Sequence, residues 1–174
     1  MNKIQDQAHI IRYRKNPKDN YYTPEELSIK LIPIVPLIQG DLVIDPCKGK
    51  GAFYNNYPSI VRKDYFEIDE GKDFLKSNVL CDWIITNPPY SNLNIWLDKI
   101  SNSCRKGFGL LLSEYAITPK RLDLLSKKGF YCTNIHYVKV MRWYGLSVFI
   151  VFEKDKPFHP ITLSWDRKIY YQKN

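Results

Sequence analysis

Three short apolar runs constrain this chain more than any other feature. They are Leu42-Val43-Ile44, Trp83-Ile84-Ile85-Thr86 and the stretch from Phe108 to Leu112. Runs of three to five mainly apolar residues without alternation read as strands buried on both faces. The first two end in loops of Asp, Gly, Asn and Pro. Helix signals lie between the runs. Thr23-Pro24-Glu25-Glu26 offers an N-cap, a proline for the first helical position and two acids for the positive dipole end. Leu27, Leu31, Ile34 and Val35 follow at helical spacing, and Pro33 and Pro36 blur the far end. A helix over about 92–106 presents Leu93, Trp96, Leu97 and Ile100, with Gly107 beyond its end. Thr118-Pro119 opens another helix, and Gly129 closes it.

Residues 64–68 add a second strand. Residues 131–141 and 146–152 form two more, joined as a hairpin near Trp143-Tyr144-Gly145. Alternating strands and helices predict an α/β fold with a mainly parallel sheet and a C-terminal antiparallel hairpin. Ligands of such sheets bind at the carboxyl ends of the strands.

With 174 residues, the chain is expected to be a single domain. Hydrophobic residues at 44% exclude intrinsic disorder. No apolar run reaches the ~18 residues that span a bilayer. The first ten residues are too polar for a signal sequence, so a cytoplasmic protein without a membrane partner is expected. The formal charge of +8 is uneven: +3 over residues 1–20, −2 over 21–118, +5 over 119–145 and +2 over 146–174. Basic flanks around a near-neutral middle suit an anionic partner gripped at the edge of a site. The four cysteines form no CxxC pair and the three histidines are scattered, so no metal is expected. The thiols read as reduced, mostly core residues.

Two loops carry the chemistry. Asp45-Pro46-Cys47-Lys48-Gly49-Lys50-Gly51-Ala52-Phe53 follows the first run, and its glycines let backbone approach a ligand closely. It has neither the third glycine of a dinucleotide loop nor the Lys-Ser/Thr ending of a P-loop. Glu67, 22 residues beyond Asp45, is an acid that could take two ribose hydroxyls. For an isolated Glu, a solvated turn is the simpler reading. Asn87-Pro88-Pro89-Tyr90 is more informative. Its prolines make a rigid turn without backbone donors. The Asn87 side-chain oxygen and the Pro88 carbonyl can then accept hydrogen bonds from one amino group. Tyr90 offers a flat face to a planar ring.

These motifs, in this order, resemble the N6-adenine DNA methyltransferases that use S-adenosylmethionine. Asn20-Tyr21-Tyr22-Thr23-Pro24 is similar to the N-terminal cofactor-contacting segment of some members. Asp45 to Phe53 resembles their cofactor loop. Phe66-Glu67-Ile68 resembles the ribose-binding strand end, Asp73-Phe74 the pair beside the cofactor adenine, and Asn87-Pro88-Pro89-Tyr90 the catalytic tetrapeptide. The resemblance covers roughly residues 20–152. It leaves 1–19 as a basic arm and 153–174 as a C-terminal extension. Two departures stand out. Only six positions separate Glu67 from Asp73, where relatives insert a whole helix, so Asp69 and Glu70 compete for the ribose role. Lys48 and Lys50 are unusual in the cofactor loop.

The resemblance implies a Rossmann-like fold and methyl transfer from S-adenosylmethionine to adenine N6 in DNA, with the base flipped into the pocket. Asn87, Pro88, Pro89 and Tyr90 would be catalytic. Tyr22, Thr23, Asp45, Pro46, Gly49, Gly51, Phe53, Glu67, Asp73 and Phe74 would hold the cofactor. In the basic stretch, Lys120, Arg121, Lys139, Arg142 and Trp143 are the candidates for nucleic-acid contact, with Arg142-Trp143 at the hairpin tip favoured. Lys127 and Lys128 read as a solvated helix face. Trp165, Tyr170 and Tyr171 read as packing residues. Four alternatives stay open: an N4-cytosine, an RNA N6-adenine or a protein glutamine methyltransferase, and a non-catalytic subunit that only binds nucleic acid. No stretch is long enough for a separate recognition domain of at least ~50 residues. The chain is therefore expected to read a short site through loops and arm, to read little sequence at all, or to borrow recognition from a second subunit, with a homodimer or a separate specificity subunit as the partner candidates. A bacterial, phage or viral setting suits all of these.

Overall fold

A computed structural model describes residues 21–141, 143 and 145–171. In chain order its elements are α1 (Glu25–Leu31), β1 (Leu42–Asp45), α2 (Ala52–Asn56), β2 (Arg62–Tyr65), β3 (Cys81–Thr86) and α3 (Leu93–Ser103). β4 (Cys104–Ser113), α4 (Pro119–Ser126), β5 (Phe130–Met141), β6 (Ser147–Lys154) and β7 (Thr162–Tyr171) complete it. The strands form one seven-stranded sheet in the order β2-β1-β3-β4-β6-β5-β7. β2, β1, β3 and β4 run parallel. β6 is antiparallel to both β4 and β5, and β7 is parallel to β5. The expected mainly parallel sheet with an antiparallel hairpin is what forms.

Two apolar layers cover the sheet. On one face Leu27 and Leu31 of α1 pack with Val43, Trp83, Phe149, Val151 and Tyr170. On the other, Leu93, Trp96, Leu97 and Ile100 of α3 pack with Ile84, Phe108, Leu110 and Ile150. Each fully buried Leu or Ile contributes roughly 1.5–3 kcal/mol. β1, β3, β4 and β6 sit between both layers, which is why their sequences are apolar without alternation.

Several boundaries differ from the sequence reading. The second strand is Arg62–Tyr65, not 64–68, because Phe66 and Glu67 leave the ladder for a 3-10 turn at Ile68–Glu70. A second such turn at Phe74–Lys76 follows. These two turns fill the short stretch after β2, and β2 is a sheet edge. Its charged residues Arg62, Lys63 and Asp64 suit an edge that must not pair further. The third helix ends at Ser103 rather than near 106, and β4 begins at Cys104. Gly107 is therefore no helix stop. A Cβ there would collide with the Phe152 carbonyl and the Trp83 ring, so the glycine permits close sheet packing. The C-terminal extension supplies β7. Of the three aromatics read as packing residues, only Tyr170 is buried, at 2% exposure, while Trp165 and Tyr171 are 67% and 64% exposed.

Cys81 and Cys104 are buried, Cys47 and Cys132 half-buried, and all four are free thiols. No helix among the described residues is long and apolar enough to cross a membrane.

Candidate active site

A cavity of about 530 Å3 opens at the carboxyl ends of β1, β2 and β3. That volume lies within the ~300–1,000 Å3 usual for small-molecule sites. The Asp45 loop forms one wall and the Glu67–Phe74 segment another, and Asn87 and Pro89 close the end. A smaller lobe of about 40 Å3 continues between Thr23, Asp45, Phe53 and Asn87.

The glycine loop is held by its own backbone. Gly51 adopts φ +83° and starts α2, a conformation an L side chain rarely takes. Lys48 N donates to the Phe66 carbonyl, and Phe66 N donates to the Asp45 carbonyl, so the loops after β1 and β2 are laced together. Asp45 is buried. Its Oδ1 accepts from Thr86 Oγ1 at 2.7 Å and from Cys47 N at 3.2 Å. Burial outweighs these donors and pushes its carboxyl up to about 7, with the nearby Glu67 charge adding to the rise.

The structure separates the three acids that compete for the ribose role. Glu70 is committed to Lys48 Nζ at 2.6 Å and the Tyr65 hydroxyl at 2.8 Å, which holds its carboxyl below the usual range. Asp69 is exposed on the 3-10 turn. Glu67 reaches across the cavity rim to accept from Gly49 N at 2.6 Å and caps its own turn through Asp69 N. It is the acid that accepts from the backbone of the glycine loop, whereas Glu70 meets only the Lys48 side chain there. Asp73 caps the next turn through Leu75 N at 3.0 Å and lines the cavity. Phe74 is buried in parallel contact with Trp96, rings 5.9 Å apart and 8° from coplanar. Trp96 lines the cavity and was read from sequence only as a face of α3. Nothing in its helical spacing marks it as a site residue.

The tetrapeptide is braced by the segment before α1. Asn87 Nδ2 donates to the Tyr21 carbonyl at 2.7 Å and lies 3.3 Å from Thr23 Oγ1. A carbonyl can be met only by the amide's NH2 side, so these contacts fix which way Asn87 is flipped. Its oxygen is left as the acceptor. Thr23 was expected to cap α1. Its hydroxyl serves Asn87 instead, and α1 begins after Pro24 without a side-chain cap. Pro88 is buried beneath the turn. Tyr90 stacks on Tyr21, with ring centroids 6.2 Å apart and 22° between planes. Tyr21 meets Trp143 edge-on at 5.8 Å. Tyr21 was missed as a site side chain, although its neighbours Tyr22 and Thr23 were picked. Tyr22 lines both lobes, beneath Lys50 Nζ, which sits 4.7 Å from its ring.

The basic candidates are less concerted than their charge suggested. Arg121 is tied to Asn94 Oδ1 at 2.8 Å and the Ala116 carbonyl at 2.7 Å, joining α4 to α3. Lys139 donates to the Gly145 carbonyl at 2.6 Å and braces the hairpin turn. Trp143 is 6% exposed and belongs to the α1-side core, so it is not a free ring at the hairpin tip. Lys120 is exposed, and Arg142 lies outside the described residues. Lys127 pairs with Asp123, and Lys128 with Asp98.

No family model matches the sequence, and no curated protein matches it. Solved structures do match. A Listeria monocytogenes protein assigned as a class I S-adenosylmethionine-dependent methyltransferase superposes over 93% of this chain and 72% of its own, with TM-score 0.67 and 11% identity. The fold is that of the class I S-adenosylmethionine-dependent methyltransferases. The M protein of the type I restriction enzyme EcoKI matches over 77% of this chain and 44% of its own, with TM-score 0.54 and 11% identity. The E. cuniculi Mtq2-Trm112 complex, responsible for methylation of the eRF1 termination factor, matches over 78% of this chain and 98% of its own, with TM-score 0.58 and 14% identity.

Proposed function

We infer that this chain transfers a methyl group from S-adenosylmethionine to the N6 amine of adenine in DNA. The observation that carries this reading is the state of Asn87. Its amide nitrogen is engaged by Tyr21 and Thr23, which leaves the oxygen to accept from an incoming amino group.

The cavity suits the cofactor. Glu67 and Asp73 stand along one wall as acceptors for hydroxyl and amino groups, and Phe74 and Trp96 supply an apolar, planar surface. Phe53, Thr23 and Asp45 surround the smaller lobe, where a cationic centre would meet a buried carboxylate. The cofactor, when bound, supplies an electrophilic methyl group. The chain's residues orient the acceptor. Asn87 Oδ1 and the Pro88 carbonyl take the two hydrogens of the amine and turn its lone pair toward the electrophile. Tyr90 stacks on the ring, worth about 1–3 kcal/mol per base, which offsets part of the few kcal/mol that flipping costs. Positioning and electrostatics carry the rate.

A planar acceptor is favoured by the stacked rings of Tyr21 and Tyr90 beside Asn87. One observation favours the protein-glutamine alternative: Arg121 and Lys139, expected to grip phosphates, serve intramolecular acceptors. Radiolabelled S-adenosylmethionine incubated separately with unmethylated DNA, RNA and protein decides between acceptor classes. The DNA reading expects label in DNA. Label found only in protein refutes it.

A further inference from the structure

The face of the sheet at β5 and β7, beyond the reach of α4, is an apolar surface the methyl-transfer reading leaves unused. Four cross-strand rows build it: Ile135–Leu163, Tyr137–Trp165, Lys139–Ile169 and Met141–Tyr171. Directly paired residues point to the same side of a sheet. The alternate residues Val138, Val140 and Tyr170 are buried under α1 on the opposite side. Ile135 is half-covered by the α3–α4 layer. The rest is open: Tyr137 37%, Met141 38%, Leu163 62%, Trp165 67%, Ile169 43% and Tyr171 64% exposed.

We propose that a second copy of this chain packs face to face on this β5–β7 surface, with Trp165 and Tyr137 at its centre. Three observations select that occupant. The first is area. The six side chains expose on the order of 700 Å2, near the ~800 Å2 per partner of a stable interface and above the ~300–600 Å2 patch of an ordinary monomer. The second is charge. Lys139 is the one charged residue in the four rows, and its ammonium is folded back onto the Gly145 and Trp143 carbonyls. Its methylene stem stays on the face while the charge is spent elsewhere. Arg167 is exposed between Trp165 and Ile169, while its neighbours Asp166 and Lys168 pair toward α1 with Lys30 and Glu26, so the patch carries one cation among its apolar side chains, and arginine is enriched at the core of protein interfaces. The third is composition. Trp and Tyr at the middle with aliphatic residues around them match the core of a protein interface. A twofold contact sets the same patch against itself, so apolar meets apolar without a specially evolved partner. The two sheets would lie about 10 Å apart, as packed sheets do.

Sedimentation of the full chain from about 1 to 100 µM tests this. The expected species is a dimer of twice the 20.6 kDa chain mass. Leu163→Glu with Trp165→Glu should raise the dissociation constant at least ~30-fold, with an unchanged circular dichroism spectrum because both residues are exposed. Phe158→Ala, at a 96% exposed position outside the four rows, should leave the dimer intact. A monomer at the highest concentration overturns the proposal, as does a dimer indifferent to the double Glu variant. Loss of the dimer on deleting residues 1–19 overturns it by making the arm the contact. A persistent monomer whose affinity for single-stranded oligonucleotide falls in Trp165→Ala overturns it in favour of nucleic acid.

Discussion

Replacing Asp45 by Asn should remove a specific pH dependence of stability. Asp45 is buried, and its carboxyl sits at about 7 in the folded chain against 3.8 when exposed. The folded state therefore holds a proton that the unfolded state has released. Stability is fully present below the unfolded value and is lost as pH rises through the folded one. Between about pH 4 and pH 7 the loss runs at roughly 1.4 kcal/mol per pH unit, or about 4 kcal/mol in total. That is a large share of the ~5–15 kcal/mol that holds a domain together. Asn keeps an oxygen to accept from Thr86 and Cys47 but has no proton to lose. Its own effect is a constant offset, so the informative quantity is the difference between the two proteins as a function of pH. Other perturbed carboxylates, such as Asp82 and Asp166, are shifted downward and act at lower pH in both proteins. Urea unfolding of each protein, measured from pH 5 to pH 8.5, gives this difference directly. Asp45→Asn should gain on the parent steadily up to pH 7 and level off above it. Parallel curves would refute the assignment of a buried, half-protonated carboxylate beside the smaller lobe.

Three further outcomes follow from the site. Glu67→Gln should weaken S-adenosylmethionine binding about tenfold or more by calorimetry, since a neutral amide accepts fewer hydroxyl hydrogen bonds, whereas Glu70→Gln should change it little because Glu70 is occupied by Lys48 and Tyr65. Gly51→Ala should lower unfolding stability by roughly 1–2 kcal/mol, because φ +83° opposes a side chain; the added Cβ meets only the movable Asn55 amide, so adding Asn55→Ala should recover little of the loss. Tyr21→Ala should raise the KM for the acceptor more than it lowers kcat, because the ring stacks on Tyr90 while the backbone carbonyl that holds Asn87 remains.

The central sheet was legible because β1, β3 and β4 are buried on both sides, and two-sided burial writes itself as an uninterrupted apolar run. β7 was not legible. Its register against β5 slips between Tyr137 and Lys139, and Asp166-Arg167-Lys168 breaks the alternation that would have marked a strand. The two loops of the site were visible because glycine and proline are chosen there for backbone reasons that no other residue satisfies. Trp96 and Tyr21 escaped notice because an aromatic at a core-like or arm position carries no mark of what it faces. The cations misled for a related reason. Sequence counts the charge of Arg121 and Lys139 but not the carbonyls that consume it. The competition among Glu67, Asp69 and Glu70 could be narrowed only once Lys48 and Tyr65 were seen to hold Glu70.

The most direct test of the methyl-transfer account is nucleoside analysis of unmethylated DNA after incubation with S-adenosylmethionine and either the parent chain or Asn87→Ala. Removing a group that acts on the transition state typically costs ~10²–10³ in rate. The account predicts N6-methyldeoxyadenosine with the parent, a loss of at least ~100-fold in the variant, and cofactor affinity within about fivefold of the parent. Equal product from both proteins, or methylated product at a site other than adenine N6, would contradict it.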